Sequence, residues 1–184
     1  NNSMQYGSVF ANLIDSGRPI AIDEGSKNTA VQSQLEAMTV ESAFSEFNIV
    51  DRDAALCCIS GVWLWHNFIW ESHEISQEIH TTAGSYWHAI MHRREQDYSN
   101  AKYWFRSVSY HEVYEALSKE IIAIQGGIDD LELVPSAAYD PFAFVDLCQQ
   151  VAQGRSNRLD LCQEITRVEW QLLFDDCFKS AVGA

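Results

Sequence analysis

The sequence predicts an all-α protein, an irregular single-domain helical bundle around one long central helix at about residues 52–80. Three observations predict this class. Apolar residues recur at helical spacings through most of the chain. No stretch alternates apolar and polar residues over a length that would make a strand. The chain has 184 residues, 47% of them hydrophobic, which fits one domain, residues 1–184, with its own core.

The first elements are predicted to be short. Residues 1–27 are the least periodic part of the chain and are expected to form an irregular arm, since glycine and proline interrupt them repeatedly. Asn28 can cap a short helix that ends near Met38. Thr39 can cap a second one that runs through Phe47.

The central helix is expected to begin after Asp51 or Asp53, because either side chain can cap it. It is expected to run to about His80, since the segment contains no proline and only one glycine, Gly61. Residues 81–84 are predicted to break it.

Capping residues and helix-breaking residues also delimit the predicted helices in the second half of the chain. Ser85 can cap a helix that ends near Glu95, and Ser99 or Asn100 can cap a short helix that ends near Val108. Both predicted helices lie within the segment that carries most of the candidate functional residues.

Three more helices complete the predicted bundle. Residues 109–112 fit a capping box for a helix that ends at Gly126-Gly127. Asp140-Pro141 predicts the start of another, because proline suits the first helical position. That helix is expected to end at Gly154, and Asn157 is expected to begin the last one.

Composition excludes several classes of function. Twelve Lys and Arg residues face 26 Asp and Glu residues, so the formal net charge is −14. We therefore expect no binding to nucleic acid or to anionic membrane surfaces. The most apolar run, residues 54–70, is too short and too interrupted to span a bilayer. Five cysteines without CxxC spacing are typical of reduced thiols, which predicts a cytoplasmic protein.

The distribution of histidine locates a candidate site. All six histidines lie between His66 and His111, and this window carries four cations against five carboxylates. His66, His73 and His80 recur every seven residues and would share one face of the predicted central helix. Each step would climb about 10.5 Å, so one ion bound by all three is not expected. His73 is instead a candidate to contact a ligand.

The next predicted helix carries the strongest pattern. His88 and His92 are four residues apart and Glu95 follows three later, so the three share a face. His88 and His92 could bind a divalent metal such as zinc, or they could act as catalytic acid and base with Glu95 orienting them. Neither HExxH nor Glu-x-x-His is present. Alternatively, both imidazoles are buried and serve packing.

Cationic and amide side chains surround this pattern and could hold an anionic group. The candidates are Arg93, Arg94, Asn100, Lys102 and Arg106. Alternatively, the cations pair with carboxylates inside the domain and leave nothing for a ligand. The guanidinium group suits both uses, and the near balance of charge slightly favours the internal network.

The segment 85–106, SYWHAIMHRREQDYSNAKYWFR, resembles the signature SxWHxIMHRRExDxSNAKYWFR of an uncharacterised family of bacterial and fungal proteins. The chain departs from the expected family pattern at Gln96, Ser107, Ser109 and Glu112, which affects turn geometry and none of the candidate site residues. The resemblance implies a location for the site and assigns no chemistry to it.

Three hypotheses about function follow. The leading hypothesis is a site of histidine, arginine and glutamate that binds a small anionic molecule or a metal and could hydrolyse a bond. Metal storage or sensing would require at least three histidine or carboxylate groups that converge within about 2.0–2.2 Å of one ion. The alternative is a structural or protein-interaction domain whose charged cluster is an internal ion-pair network.

Overall fold

The computed structural model describes residues 5–14 and 17–184, and all regular secondary structure in that part of the chain is helical. The predicted all-α class is confirmed. Short 3-10 turns at Thr29–Val31 and Pro135–Ala137 accompany the α-helices. These are α1 (Ser8–Leu13), α2 (Gln32–Ala37), α3 (Val40–Ala43), α4 (Arg52–Trp65), α5 (Ile69–Ser76), α6 (Thr82–Arg94), α7 (Tyr98–Val108), α8 (Val113–Ile124), α9 (Pro141–Ala152) and α10 (Leu159–Val182).

The predicted long central helix at 52–80 is wrong, because α4 ends at Trp65 and α5 begins only at Ile69. Asn67, at the break, has a φ of 68°, a left-handed conformation that asparagine tolerates better than most residues. Its side chain donates to the carbonyl of Ser26 at 2.8 Å and accepts from Arg94 at 2.5 Å. Contacts distant in sequence therefore stabilise the break, and α10 is the longest helix of the described part.

The centre of the fold is nevertheless α4, which α5, α6 and α10 all contact. Gly61 permits close packing on α4, since a Cβ there would lie 2.7 Å from the Trp87 ring. Trp170 of α10 donates to the Gly61 carbonyl at 2.7 Å, and its ring lies 4.5 Å from that of Trp65. The missing side chain lets two large rings approach the α4 backbone.

Several predicted helix caps are confirmed. Asp51 accepts from the backbone N–H of Ala54, and Asp140 accepts from the two N–H groups at the start of α9. Thr39 forms a capping box with Ser42. These caps depend only on neighbouring residues, which is why the sequence alone predicts them.

Other predicted boundaries are wrong. Thr81, and not Ser85, caps the helix that carries the candidate histidines, so residues 82–84 belong to α6. Asp97, and not Ser99 or Asn100, caps α7. In both cases an earlier side chain takes the capping position, so each helix begins before the predicted residue.

The predicted capping box at 109–112 is also not formed. Ser109 has a φ of 60° and a ψ of −68°, and α8 begins only at Val113. The N–H of Val113 donates to Nδ1 of His111 at 3.0 Å, so an imidazole takes the place of the predicted cap.

The remaining differences from the predicted helices are smaller. The predicted irregular arm contains α1, α3 ends at Ala43 instead of Phe47, and α10 begins at Leu159 instead of Asn157. Residues 1–4 and 15–16 of the arm lie outside the described residues. In residues 5–14 and 17–184, no helix has the length and apolar character needed to cross a bilayer.

All five cysteines are buried free thiols, as their spacing predicts. Burial raises the pKa of the Cys58 thiol well above its ordinary value, so it stays protonated and has little nucleophilic character. The cysteines contribute to the core rather than to the candidate site.

Candidate functional site

Three histidines from two helices meet in one cluster. His73 lies on α5, while His88 and His92 lie on adjacent turns of α6, which packs against α5. The ring centroid of His73 lies 4.9 Å from that of His88 and 5.6 Å from that of His92. One ligand nitrogen of each residue lies within 4.8 Å of the other two. We call these three residues the histidine cluster.

The histidine cluster lies at the margin of the core. Only 5% of His88 and 6% of His92 is exposed, whereas His73 is half-buried. The indole of Trp104, from α7, stacks on His88 with a centroid distance of 4.0 Å and an interplanar angle of 16°. Trp70 is exposed and lies 5.8 Å from the His73 ring. The cluster therefore combines buried imidazoles with an aromatic rim that reaches solvent.

Burial keeps two of these imidazoles neutral. Burial, together with the neighbouring His92 and His73, lowers the pKa of His88 to about 3. Burial, followed by the charge of His92, also lowers the pKa of His73 below its ordinary value. At neutral pH each ring therefore has one nitrogen lone pair that can act as a ligand.

Glu95 orients one ring of the histidine cluster. Nδ1 of His92 lies 2.6 Å from Oε1 of Glu95, so that nitrogen is the donor to a carboxylate acceptor and Nε2 carries the lone pair. The side-chain amide nitrogen of Asn100 lies 3.2 Å from Nε2. The structure thus keeps His92 and Glu95 together, as the helical spacing suggests, and adds Asn100 from α7.

Asp97 is a residue near this site that the sequence reasoning did not select. Its carboxylate lies within reach of His92 and Glu95, although its side chain also accepts from the Asn100 N–H at 3.4 Å as the cap of α7. The first turn of a helix offers free N–H groups and the positive end of the helix dipole, which can attract an anion. The Asp97 carboxylate now stands at that position, which disfavours anion binding there.

The predicted ligand-binding arginine Arg93 makes its contacts elsewhere. Its guanidinium donates to Oε1 of Glu169, on α10, at 2.7 Å, and 1% of Arg93 and none of Glu169 is exposed. Tyr86 donates to Oε2 of the same carboxylate at 2.9 Å. Burial opposes the charged form of Arg93, but Glu169 outweighs it and raises the pKa of Arg93. The charges of Arg93 and Glu169 therefore pair with each other inside the domain.

The other predicted cations are also not directed to the histidine cluster. Arg94 is buried and donates to the carbonyl of Asp23 at 2.6 Å as well as to Asn67, and burial lowers its pKa to about 10. Lys102 pairs with Asp146, on α9, at 2.7 Å. Arg106 is exposed on α7. The structure therefore separates the histidines and Glu95 from the predicted cations, of which Arg93, Arg94 and Lys102 contact other partners.

Comparisons with known proteins assign no family to the chain. No family model matches this sequence, and no curated protein or solved structure gives a significant match to it. The chemistry of the site must therefore be argued from its own geometry. Three imidazoles with one hydrogen-bonded carboxylate form a donor set that divalent transition metals accept.

Proposed function

We propose that the protein binds one divalent transition-metal ion, such as zinc, through His73, His88 and His92. The observation that carries the proposal is the convergence of three imidazole nitrogens from two helices to within 4.8 Å. With Zn–N bonds of 2.0–2.1 Å, the nitrogens of a tetrahedral site are about 3.3 Å apart. Movements of at most about 1.5 Å between side chains would close the site around an ion.

The donor set favours a metal of intermediate softness. Imidazole nitrogen suits zinc, copper, iron and nickel, whereas magnesium and calcium prefer oxygen ligands. Glu95 supports this choice, because a metal-binding histidine commonly donates its other ring N–H to a carboxylate. That contact sets the tautomer of His92 and presents Nε2 as the ligand atom. Metal binding at Nε2 would replace the contact with Asn100.

Three protein ligands leave a fourth position of a tetrahedral ion for water, and a bound ion would lower the pKa of that water. We therefore propose metal-assisted hydrolysis as the reaction class. Arg93, Arg94 and Lys102, which were expected to hold an anionic substrate, have other partners, and Arg106 is exposed on α7. The proposed site is therefore limited to the histidine cluster with Glu95.

A second candidate is a purely structural domain, and one observation favours it. Arg93, Glu169 and Tyr86 form a closed, buried network. The ring of His88 stacks between the indole of Trp104, on α7, and the imidazole of His92, on the next turn of α6. If this packing is the whole role of the region, the histidines bind no ion. A metal-binding experiment separates the two candidates.

Untagged protein dialysed against zinc is expected to retain one zinc ion per chain. His92→Ala removes a ligand, so we expect zinc affinity to fall by at least about 100-fold, beyond the usual effect of a supporting group. Metal analysis after equilibrium dialysis measures both quantities. His80→Ala is the matched control, because His80 is exposed and not part of the histidine cluster. Unmodified protein without bound metal, or equal losses in both variants, would overturn the proposal.

Glu95→Gln tests the supporting role of the carboxylate. We expect zinc affinity to fall by about 10- to 100-fold with little change in stability, since Glu95 lies at the surface of the site and Gln retains its shape. Competition with a coloured chelator measures the affinity. Glu74→Gln, on the exposed side of α5, is the control. Equal affinities for Glu95→Gln and the unmodified protein would argue against this role.

A further inference from the structure

A cavity lies between α8 and the segment that leads into α9. It has a volume of about 580 Å³, which is within the usual range of small-molecule sites. Three tyrosines and a phenylalanine contribute to its lining: Tyr110, Tyr114, Tyr139 and Phe142. It shares none of its lining residues with the histidine cluster.

The tyrosines of this cavity are close together and steeply inclined to one another. The Tyr110 and Tyr114 centroids are 5.9 Å apart with an interplanar angle of 84°, and those of Tyr114 and Tyr139 are 5.2 Å apart with an angle of 71°. Rings inclined in this way present their negative faces in different directions. Such sets of rings recognise quaternary ammonium groups in aromatic cages.

The scaffold fixes these rings before any ligand arrives. The Ser118 hydroxyl donates to the Tyr114 carbonyl at 2.6 Å and accepts from the Tyr139 N–H at 2.9 Å, so it joins the two tyrosine-bearing segments. Tyr110 follows a strained γ-turn at Ser109, closed by a 2.6 Å hydrogen bond from the Tyr110 N–H to the Val108 carbonyl. This turn leaves Tyr110 61% exposed at the edge of the cavity.

The charge of the cavity favours a cation. Its lining includes the carboxylates of Glu115 and Asp140 and, among the described residues, no lysine or arginine. Glu115 is exposed and lies 3.8 Å from exposed Lys119, a distance at which the pair is weak. The net charge of −14 adds a long-range attraction for cations.

We propose that this cavity binds an organic cation with a quaternary ammonium group, enclosed by Tyr110, Tyr114 and Tyr139. The rings supply cation–π attraction, and Glu115 and Asp140 supply the opposite charge. The proposal is independent of the metal site, because the two sites use different residues.

Choline and its neutral isostere 3,3-dimethylbutan-1-ol test the proposal, because they share a shape and differ in charge. Chemical shifts of the full chain followed by NMR at constant ionic strength are expected to show saturable binding of choline. Binding of the isostere is expected to be at least about tenfold weaker, because the isostere lacks the charge that cation–π attraction requires. Equal binding of both compounds, or no saturable shift with choline, would overturn the proposal.

Variants locate the binding. Tyr110→Ala is expected to weaken choline binding by about tenfold, while Tyr110→Phe keeps the ring and the affinity. Tyr103→Ala is the matched control, because Tyr103 is similarly exposed, at 54%, but does not line this cavity. Thermal unfolding of each variant checks the fold. Choline binding that is unchanged in a folded Tyr110→Ala variant would place the ligand elsewhere and refute the assignment.

Discussion

Glu169→Leu is expected to lower the free energy of unfolding by about 3–5 kcal/mol, because it leaves the buried Arg93 charge without its carboxylate. None of Glu169 is exposed, and it accepts hydrogen bonds from both Arg93 and Tyr86. The variant therefore removes the partners of two buried groups with one change. Urea denaturation followed by circular dichroism measures the loss.

The double variant Arg93→Met with Glu169→Leu separates the unpaired charge from the loss of packing. It is expected to recover much of the stability, since replacing a buried ion pair with apolar groups is often neutral or stabilising. Glu41→Leu is the exposed control, because the side chains of the Arg52–Glu41 pair are 62% and 69% exposed and such surface pairs contribute little to stability. A cost of Glu169→Leu as small as that of Glu41→Leu would contradict the buried network.

Gly84→Ala is expected to destabilise the protein by about 3 kcal/mol, at the upper end of the usual cost of overpacking. A Cβ at this position would lie 2.3 Å from the carbonyl oxygen of Ile79, and a backbone atom cannot turn aside as a flexible side chain can. The first turn of α6 would have to move. His88 lies one turn further along α6, so zinc affinity is also expected to fall.

Gly126→Ala is the control for this prediction. Gly126 has a φ of 74° and open space around it, so alanine there meets backbone strain without a collision, at a cost of about 1 kcal/mol. Thermal unfolding and zinc dialysis of the two variants provide both measurements. A Gly84→Ala variant that is as stable as Gly126→Ala and retains full zinc affinity would contradict the tight contact between α6 and Ile79.

Local signals in the sequence predict the fold class and several helix boundaries. Asp51 and Asp140 cap helices through residues two or three positions away, so no tertiary information is needed. The break at Asn67 differs in kind, because its partners are Ser26 and Arg94. No local pattern contains those contacts, and a continuous apolar segment therefore predicts one helix where the structure has two.

The same distinction applies to the site. His88, His92 and Glu95 lie on consecutive turns, so helical spacing brings them together. His73 reaches them only through the packing of α5 on α6. The spacing expected between His66, His73 and His80 does not apply, because the predicted continuous helix is divided at Asn67. The stacking of Trp104 on His88 also depends on tertiary packing. The partner of Arg93, Glu169, lies 76 residues away in the sequence, so no local pattern predicts this pair.

Arg94 has a consequence for the order in which the protein unfolds. Its single guanidinium joins the carbonyl of Asp23 in the arm, the break between α4 and α5 at Asn67, and α6 itself. Detaching the arm would leave this buried cation without one of its acceptors, a cost that a freely fraying terminus does not have. We therefore expect residues near Asp23 to open together with α6, in the same cooperative unfolding unit as the histidine cluster.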